Sequence, residues 1–176
     1  TARVLITRGI DTACAAKSFL YPSLREHVPD PAGIKEIDKA VKLIIEAVRS
    51  REIITVLCDF DVDGLSAGSQ LLLFLRTIGA QVNSHVPNRF SEGYGLSESA
   101  VGVLAKTGTK LLITVDCGIS SVKELRLAKK LGLRTIILDH HEPDEELPPA
   151  DAVVDPAQEG CPFKEHRVAA AGLVWL

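Results

Sequence analysis

The sequence has few of the features that would mark a membrane protein, a structural zinc protein or a strongly basic nucleic-acid binder. No run of about eighteen apolar residues occurs, so no membrane-spanning helix is predicted, and no signal peptide is recognisable. The four cysteines form no C-x-x-C pair, which disfavours structural zinc and is typical of reduced thiols in a cytoplasmic protein. The net charge of -3 gives no bulk attraction to nucleic acid, although a local basic groove is compatible with it.

The chain also lacks an initial methionine and a capping signal at its end. It begins at Thr1 and stops inside the apolar run 168–176, where Trp175 has little to pack on. We therefore expect the sequence to be a piece of a longer polypeptide. Its 46% apolar and 24% charged residues are ordinary for a globular domain, and its length suits one sizeable core.

The most informative stretch is the sequence CDFDVDG at residues 58–64, in which Asp59, Asp61 and Asp63 follow an apolar, β-branched segment. That segment is predicted to be a buried strand. Three carboxylates at a strand end repel each other and resist desolvation, and a multivalent cation would remove that cost. Oxygen-rich clusters suit Mg²⁺ and Mn²⁺. The alternative is a polar strand end that leads into a helix N-terminus, where acids are favoured anyway.

Helical and strand patterns alternate along the chain. Helices are predicted over residues 11–20, 34–51, 65–78, 98–106 and about 121–131, and strands over residues 53–58, 82–86, 110–115, 134–138 and 152–154. This alternation predicts an α/β fold with three αβα layers and a mainly parallel sheet of roughly five strands. We expect residues 1–33 to be a lead-in segment and residues 34–176 to be the main domain.

Polar side chains follow several of these strands. Asp59, Asp116 and Asp139 each come directly after a predicted strand, and Asn88 and Arg89 come just after another. Right-handed crossovers place the carboxyl ends of parallel strands at one edge of the sheet, where ligands bind in such folds. We therefore expect these residues to converge on one crevice.

The candidate metal ligands are Asp59, Asp61, Asp63, Asp116 and His140. They outnumber the ligands that one hydrated ion needs, which favours a pair of ions, and the imidazole moves the preference towards Mn²⁺. Two ions about 3.5–4 Å apart can share a hydroxide and clamp both sides of an in-line phosphoryl displacement. The reaction class predicted is metal-assisted hydrolysis of a phosphoester.

Candidate substrate-binding residues lie beside these ligands. Arg89 suits bidentate contact with a phosphate, and Asn88 precedes it in the loop 87–97, for which an ordinary connecting loop is the alternative. The start of the next helix, where Ser66 lies, adds free N–H groups and a positive dipole end. His141 would neutralise the transition state or hydrogen-bond the scissile phosphate.

Three motifs together resemble the DHH phosphoesterase superfamily: D-H-H at residues 139–141, D-x-D-x-D-G at residues 59–64 and D-C-G at residues 116–118. Within that superfamily, residues 86–97 and the lead-in at residues 8–24 closely resemble the RecJ group of bacterial single-strand-specific exonucleases. The resemblance covers essentially the whole chain, and its combined motifs are far more specific than the D-H-H triplet alone.

The resemblance implies hydrolysis of single-stranded DNA from 5′ to 3′ with Mn²⁺ or Mg²⁺, in DNA repair and recombination. It implies metal roles for the five candidate ligands, catalytic roles for Asp116, His140 and His141, and a place against the active site for Asn88 and Arg89. The group also has a further metal-ligand Asp and C-terminal domains of DHHA1 and OB type, none of which is present here. We therefore expect the isolated chain to have little or no activity.

Two alternative functions stay open. One is a DHH-type phosphatase, pyrophosphatase or oligonucleotidase that acts on small phosphoesters, and the other is a non-catalytic nucleic-acid-binding relative. Such pyrophosphatases typically have a His four residues before an Asp, and Leu57 occupies that place relative to Asp61, which favours the exonuclease. The group also usually has Gly where Cys58 stands. His85 and His166 have no acidic neighbourhood in the sequence and receive no role.

Overall fold

The computed structural model describes residues 1–164 and 168–176, which form two compact units, residues 1–30 and 31–176. The first unit contains the helices α1 (Ala2–Thr7), α2 (Ala13–Leu20) and α3 (Leu24–His27). The hydroxyl of Thr12 accepts a hydrogen bond from the Ala15 N–H and so caps α2. The second unit contains the sheet and every candidate site residue.

The sheet has five strands, all of them parallel, in the order β2-β1-β3-β4-β5. The strands are β1 (Ile53–Cys58), β2 (Gln81–His85), β3 (Thr109–Val115), β4 (Arg134–Leu138) and β5 (Ala152–Val154). The α/β fold predicted from the alternating pattern is confirmed. Because the sheet is wholly parallel, all the carboxyl ends of its strands meet at one edge.

The helices of the second unit are α4 (Ile37–Arg49), α5 (Val62–Thr77), α6 (Glu98–Lys106), α7 (Val122–Lys130) and α8 (Ala170–Trp175), and a 3₁₀ turn, Pro31–Gly33, precedes α4. Two helices begin three residues away from their predicted starts, and α2 begins at Ala13, two residues later than predicted. Helix α4 starts three residues later, because Glu36 adopts a left-handed conformation with φ 61°. Helix α5 starts three residues earlier, because the Asp61 carboxylate accepts the Gly64 N–H at 2.9 Å and caps it there.

Helices cover both faces of the sheet and create two hydrophobic clusters. Alternate residues of β1 point to opposite faces, so Val56 packs with side chains of α4, α5 and α8, while Leu57 packs with side chains of α6 and α7. Each fully buried aliphatic side chain of this kind contributes about 1.5–3 kcal/mol. This double burial holds the strands rigidly and therefore fixes the edge at which the acids lie.

The apolar run at the end of the chain forms α8, which the sequence pattern did not identify as a helix. The N–H groups of Ala170 and Ala171 donate to the two carboxylate oxygens of Asp63, at 2.9 and 2.8 Å. Trp175 is 58% exposed at the other end of the helix. Among the described residues, no helix is both long and apolar enough to cross a membrane.

Candidate metal centre

Four aspartates stand in a row where four adjacent strands end. Asp59, Asp116, Asp139 and Asp155 follow β1, β3, β4 and β5, and none is more than 3% exposed. The first three extend the sheet by one residue, because their N–H groups donate to the last carbonyl of the next strand at 2.9–3.2 Å. The predicted convergence of acids from distant parts of the chain is therefore seen in the structure.

The turn after β3 is strained. Asp116 has φ 61°, a conformation that costs a residue with a side chain about 1–3 kcal/mol. Gly118 follows at φ 110°, and a Cβ there would lie 2.5 Å from the Thr114 hydroxyl. The D-C-G sequence thus permits a tight turn that returns the chain beside the strand end. Strain of this type occurs often at functional sites.

Two glycines bring α5 directly onto the end of β1. A Cβ on Gly64 would lie 2.6 Å from the Asp59 carbonyl oxygen, and a Cβ on Gly68 would lie 2.7 Å from the Cys58 sulfur. This close approach places the acids of the first turn of α5 next to Asp59. The spacing D-x-D-x-D-G therefore serves packing as well as chemistry.

Two groups of possible metal ligands share Asp116. One group is Asp59, Asp61 and Asp116, and the other is Asp116, His140 and His141; within each group the ligand atoms lie within 4.8 Å of one another. His140 Nε2 lies 3.0 Å from an Asp116 oxygen and 3.5 Å from an Asp63 oxygen. An acid common to two such groups has the position expected of a ligand that bridges two ions.

The electrostatics of these acids fit a divalent cation. Burial raises the pKa of Asp116 to about 6, and the charges of Asp63 and Asp61 add to the effect. Burial also raises the pKa of Asp59; the Phe60 N–H opposes this rise, and Asp61 adds to it. Both shifts express unfavourable ionisation, which a bound cation would reverse. The donors are carboxylate oxygens and imidazole, which suit Mg²⁺ and Mn²⁺.

Asp139 orients the two histidines. One of its oxygens accepts the His140 N–H at 2.8 Å and His141 Nδ1–H at 2.7 Å, and the other accepts the Ile119 N–H at 3.1 Å. Burial alone would lower the pKa of His141, but the hydrogen bond and charge of Asp139 outweigh burial and raise it. The contact fixes the proton of His141 on Nδ1 and leaves Nε2 directed elsewhere.

The two other candidate residues of α5, Asp63 and Ser66, have different surroundings in the structure. Asp63 lies near His140 and also holds the start of α8, so its predicted role as a ligand would combine with a structural one. The predicted free N–H groups would be those of Val62 and Asp63, because α5 begins at Val62 and the Gly64 N–H already donates to Asp61. Ser66 is exposed one turn further along, and its part in substrate binding stays a prediction.

The loop after β2 is well ordered by hydrogen bonds. Glu92 accepts the Asn88 N–H at 3.0 Å and contacts His85 Nε2 at 2.9 Å, while the Asn88 side chain accepts the Phe90 N–H. The Arg89 guanidinium lies over the Phe60 ring, 5.3 Å from its centroid. His85 thus has the acidic partner that the sequence did not reveal.

Asp155 is a feature that the sequence analysis left without a role. One of its oxygens accepts the Ala157 N–H at 2.7 Å, and the other has no hydrogen-bond partner among the described residues. Burial raises its pKa to about 7, although the Ala157 hydrogen bond opposes the rise. The sequence does place Asp155 directly after the predicted strand 152–154, and this position could have identified it as a further acid of the site. His166, to which the sequence assigns no role, lies outside the described residues.

Buried acids and adjacent histidines at the carboxyl edge of a parallel sheet define an α/β protein with a candidate carboxylate–histidine metal centre. The chain belongs to the DHH family, whose N-terminal domain model matches residues 53–176. It is 43% identical over 174 residues to the single-stranded-DNA-specific exonuclease RecJ of Bacillus subtilis (strain 168), a match that covers 99% of this chain and 22% of that protein. The RecJ of Haemophilus influenzae is 39% identical over 83% of this chain and 26% of its own length. The chain therefore spans about a quarter of the length of these relatives.

Solved structures agree with the family. The structure described as exonuclease RecJ bound to manganese matches with a TM-score of 0.75 and 35% identity, over 81% of this chain and 36% of that one. The structure of RecJ in complex with Mn²⁺ from Thermus thermophilus also matches with a TM-score of 0.75, at 30% identity, over 97% of this chain and 23% of that one.

Proposed function

We propose that the protein containing this chain is a metal-dependent exonuclease that hydrolyses single-stranded DNA from 5′ to 3′ in DNA repair and recombination. The observation that carries the proposal is the position of Asp116, which forms one group of metal-type ligands with Asp59 and Asp61 and also contacts His140, itself 3.5 Å from Asp63. It is supported by the 43% identity to a protein named as a single-stranded-DNA-specific exonuclease.

The ligands that would hold two Mn²⁺ or Mg²⁺ ions are Asp59, Asp61, Asp63, Asp116 and His140. When bound, such ions supply a hydroxide at neutral pH and neutralise charge on the phosphate. The chain's own contribution is to hold the acids rigidly at the strand ends. The raised pKa values of Asp59 and Asp116 are the electrostatic support for cation binding at this edge.

His141 and the loop after β2 would bind the phosphate itself. Asp139 holds the His141 ring and favours its charged form, which suits a hydrogen-bond donor to a phosphate oxygen that gains negative charge during the reaction. Arg89 would contribute a bidentate contact, and Asn88 would shape the loop beneath it.

Further parts of the polypeptide would complete the enzyme. We propose that a downstream acid adds a ligand, that later domains bind the DNA strand, and that residues 1–33 are a lead-in to the DHH domain. The predicted cytoplasmic location belongs to the same proposal. The net charge of -3 on this chain means that most phosphate contacts would come from elsewhere in the protein.

The test is digestion of single-stranded DNA by the full-length protein. Oligonucleotides labelled at the 5′ or the 3′ end would be incubated with Mn²⁺, with Mg²⁺ or with a chelator, beside the matching duplex. We expect early release of the 5′ label as a mononucleotide, only with metal and only from the single strand. Release of the 3′ label first, equal cleavage of the duplex, or cleavage in chelator would contradict the proposal.

A further inference from the structure

Three aromatic residues belong to the two segments that carry the first candidate metal ligands and Arg89. Phe60 stands between two candidate ligands, and Phe90 and Tyr94 lie in the loop that carries Arg89. Phe90 is 98% exposed and Tyr94 is 62% exposed. The chain has only five Phe, two Tyr and one Trp, so three of its eight aromatic residues belong to this small region.

Phe60 links the other side chains of this region, because it contacts both Tyr94 and Arg89. The rings of Phe60 and Tyr94 meet edge to face, with centroids 6.3 Å apart and planes at 86°. The Arg89 guanidinium covers the Phe60 ring at 5.3 Å. Edge-to-face and cation–π contacts both fix ring orientation, so these groups present defined surfaces rather than loose side chains.

Packing does not account for this exposure. A core aromatic buries most of its surface, whereas Phe90 buries almost none. An aromatic ring left in water beside a polar site is typical of a surface that a ligand covers. The positive charge of Arg89 favours a ligand that combines a flat ring with a phosphate.

The aromatic group is continuous with the candidate metal centre. The Phe60 backbone N–H donates to the Asp59 carboxylate at 2.7 Å, so the backbone of Phe60 is held beside this candidate ligand. The Tyr94 ring lies against the Phe60 ring and so belongs to the same surface. A ligand held on these rings would therefore have its phosphate within reach of the same centre.

We propose that Phe90 and Tyr94, with Phe60 supporting Tyr94, form a stacking subsite for the nucleobase of the nucleotide whose phosphate enters the candidate metal centre. This inference rests on the proposed function and narrows its substrate class to phosphoesters that carry a flat base. Every nucleobase has a π-face, so the subsite would tolerate all sequences. Phosphoesters without a base, such as pyrophosphate, would lose this contact and be poor substrates.

Hydrogen bonds hold the subsite ready for its ligand. Glu92 joins His85, at the end of β2, to the Asn88 N–H, and Asn88 in turn accepts the Phe90 N–H. Hydrogen bonds that restrain the loop in the absence of a ligand would lower the entropy cost of binding.

The test compares ring variants on two substrates. Phe90→Ala, Tyr94→Leu and Tyr94→Phe would be made in the full-length protein, with Phe74→Ala as a matched control, because Phe74 is an exposed aromatic of α5 that has no part in the site. The substrates are 5′-phosphorylated single strands whose first nucleotide is either normal or abasic. Far-UV circular dichroism would confirm that each variant is folded.

With the normal substrate, we expect kcat/KM to fall about tenfold in Phe90→Ala and in Tyr94→Leu. Tyr94→Phe keeps the ring and should retain near-original activity, as should Phe74→Ala. The abasic substrate should be about tenfold poorer for the unmodified protein, with little further loss in the two ring variants.

Equal kcat/KM for the two substrates in the unmodified protein would overturn the subsite, as would unchanged kcat/KM in Phe90→Ala and Tyr94→Leu. A failure of Tyr94→Phe to retain activity would assign the effect to the phenol hydroxyl and also overturn stacking at Tyr94. If the unmodified protein hydrolyses neither strand, the proposed function is wrong, but the subsite is not yet tested by that result. Fluorescence anisotropy with the same oligonucleotides then tests the subsite, and equal affinities for the normal and abasic strands would overturn it.

Discussion

Asp155 illustrates at the residue scale how burial alone changes the behaviour of one carboxylate. The side chain is fully buried, and one oxygen has no hydrogen-bond partner in the part of the chain that the structure describes. Its pKa rises from 3.8 to about 7. The folded protein therefore binds this proton more tightly than the unfolded chain does, so stability is lost as the pH rises between these two values.

We predict that Asp155→Asn makes the metal-free protein more stable at about pH 8 than the unmodified protein. The amide carries no charge, so the variant does not lose stability when a buried carboxylate ionises. In the unmodified protein that loss is up to about 1.4 kcal/mol for each pH unit between 3.8 and about 7. Chemical denaturation at about pH 5 and about pH 8 measures this. A stability difference that is the same at both pH values would show that the Asp155 charge is not the cause.

At the same scale, we propose that Arg89 acts on substrate rather than on metal. We predict that Arg89→Ala weakens binding of single-stranded DNA about tenfold or more and leaves Mn²⁺ affinity almost unchanged, because a charged phosphate contact contributes about 1.5–3 kcal/mol. Arg89→Lys, which keeps the charge but not the planar fork, should recover only part of the loss. Fluorescence anisotropy and calorimetric Mn²⁺ titration separate the two affinities. A collapse of Mn²⁺ binding with intact DNA binding would mean that Arg89 supports the centre itself.

At the scale of elements, the contact of α5 with the end of β1 sets the geometry of the acids. Gly68 permits this contact, because a Cβ there would lie 2.7 Å from the Cys58 sulfur. Gly102 in α6 is a matched control, since a Cβ there would meet no described atom within 4 Å.

We predict that Gly68→Ala destabilises the protein by about 1–3 kcal/mol through overpacking and weakens Mn²⁺ binding, since α5 must move away from β1. Gly102→Ala should stabilise it by about 0.5–1 kcal/mol, because alanine is favoured in a helix interior. Denaturant titration of both variants measures the contrast. Similar stability in the two variants would contradict the close approach of α5.

The sequence predicted the elements well wherever local pattern decides them. Strand β1 has its predicted bounds, and the apolar stripe identified most of α4. Helix α8 was missed because its N–H groups are held by Asp63, 107 residues earlier in the chain. The sequence likewise predicted that acids converge, since strand ends can be counted, but it could not show that Asp139 holds His141 or that Asp155 lacks a partner among the described residues. Those facts depend on contacts between distant elements.

At the scale of the whole molecule, a row of buried acids makes the metal-free protein less stable than it would otherwise be. We predict that Mn²⁺ raises Tm, and raises it more at about pH 8 than at about pH 5. The pKa of Asp116 is about 6, so protons compete with the ion below that value and not above it. Thermal unfolding with Mn²⁺ or with a chelator measures the shift. An equal shift at both pH values would exclude linkage to these acids.

The central claim is that Asp116 joins two ions in one centre. The most direct measurement is electron paramagnetic resonance of the full-length protein titrated with Mn²⁺, beside single-turnover hydrolysis of single-stranded DNA, for the unmodified protein and for Asp116→Ala. We predict the signal of a magnetically coupled pair of Mn²⁺ ions in the unmodified protein. In a folded Asp116→Ala variant we predict loss of that coupling and a fall in turnover by orders of magnitude. A coupled pair that persists in Asp116→Ala, or turnover close to that of the unmodified protein, would contradict this account of the site.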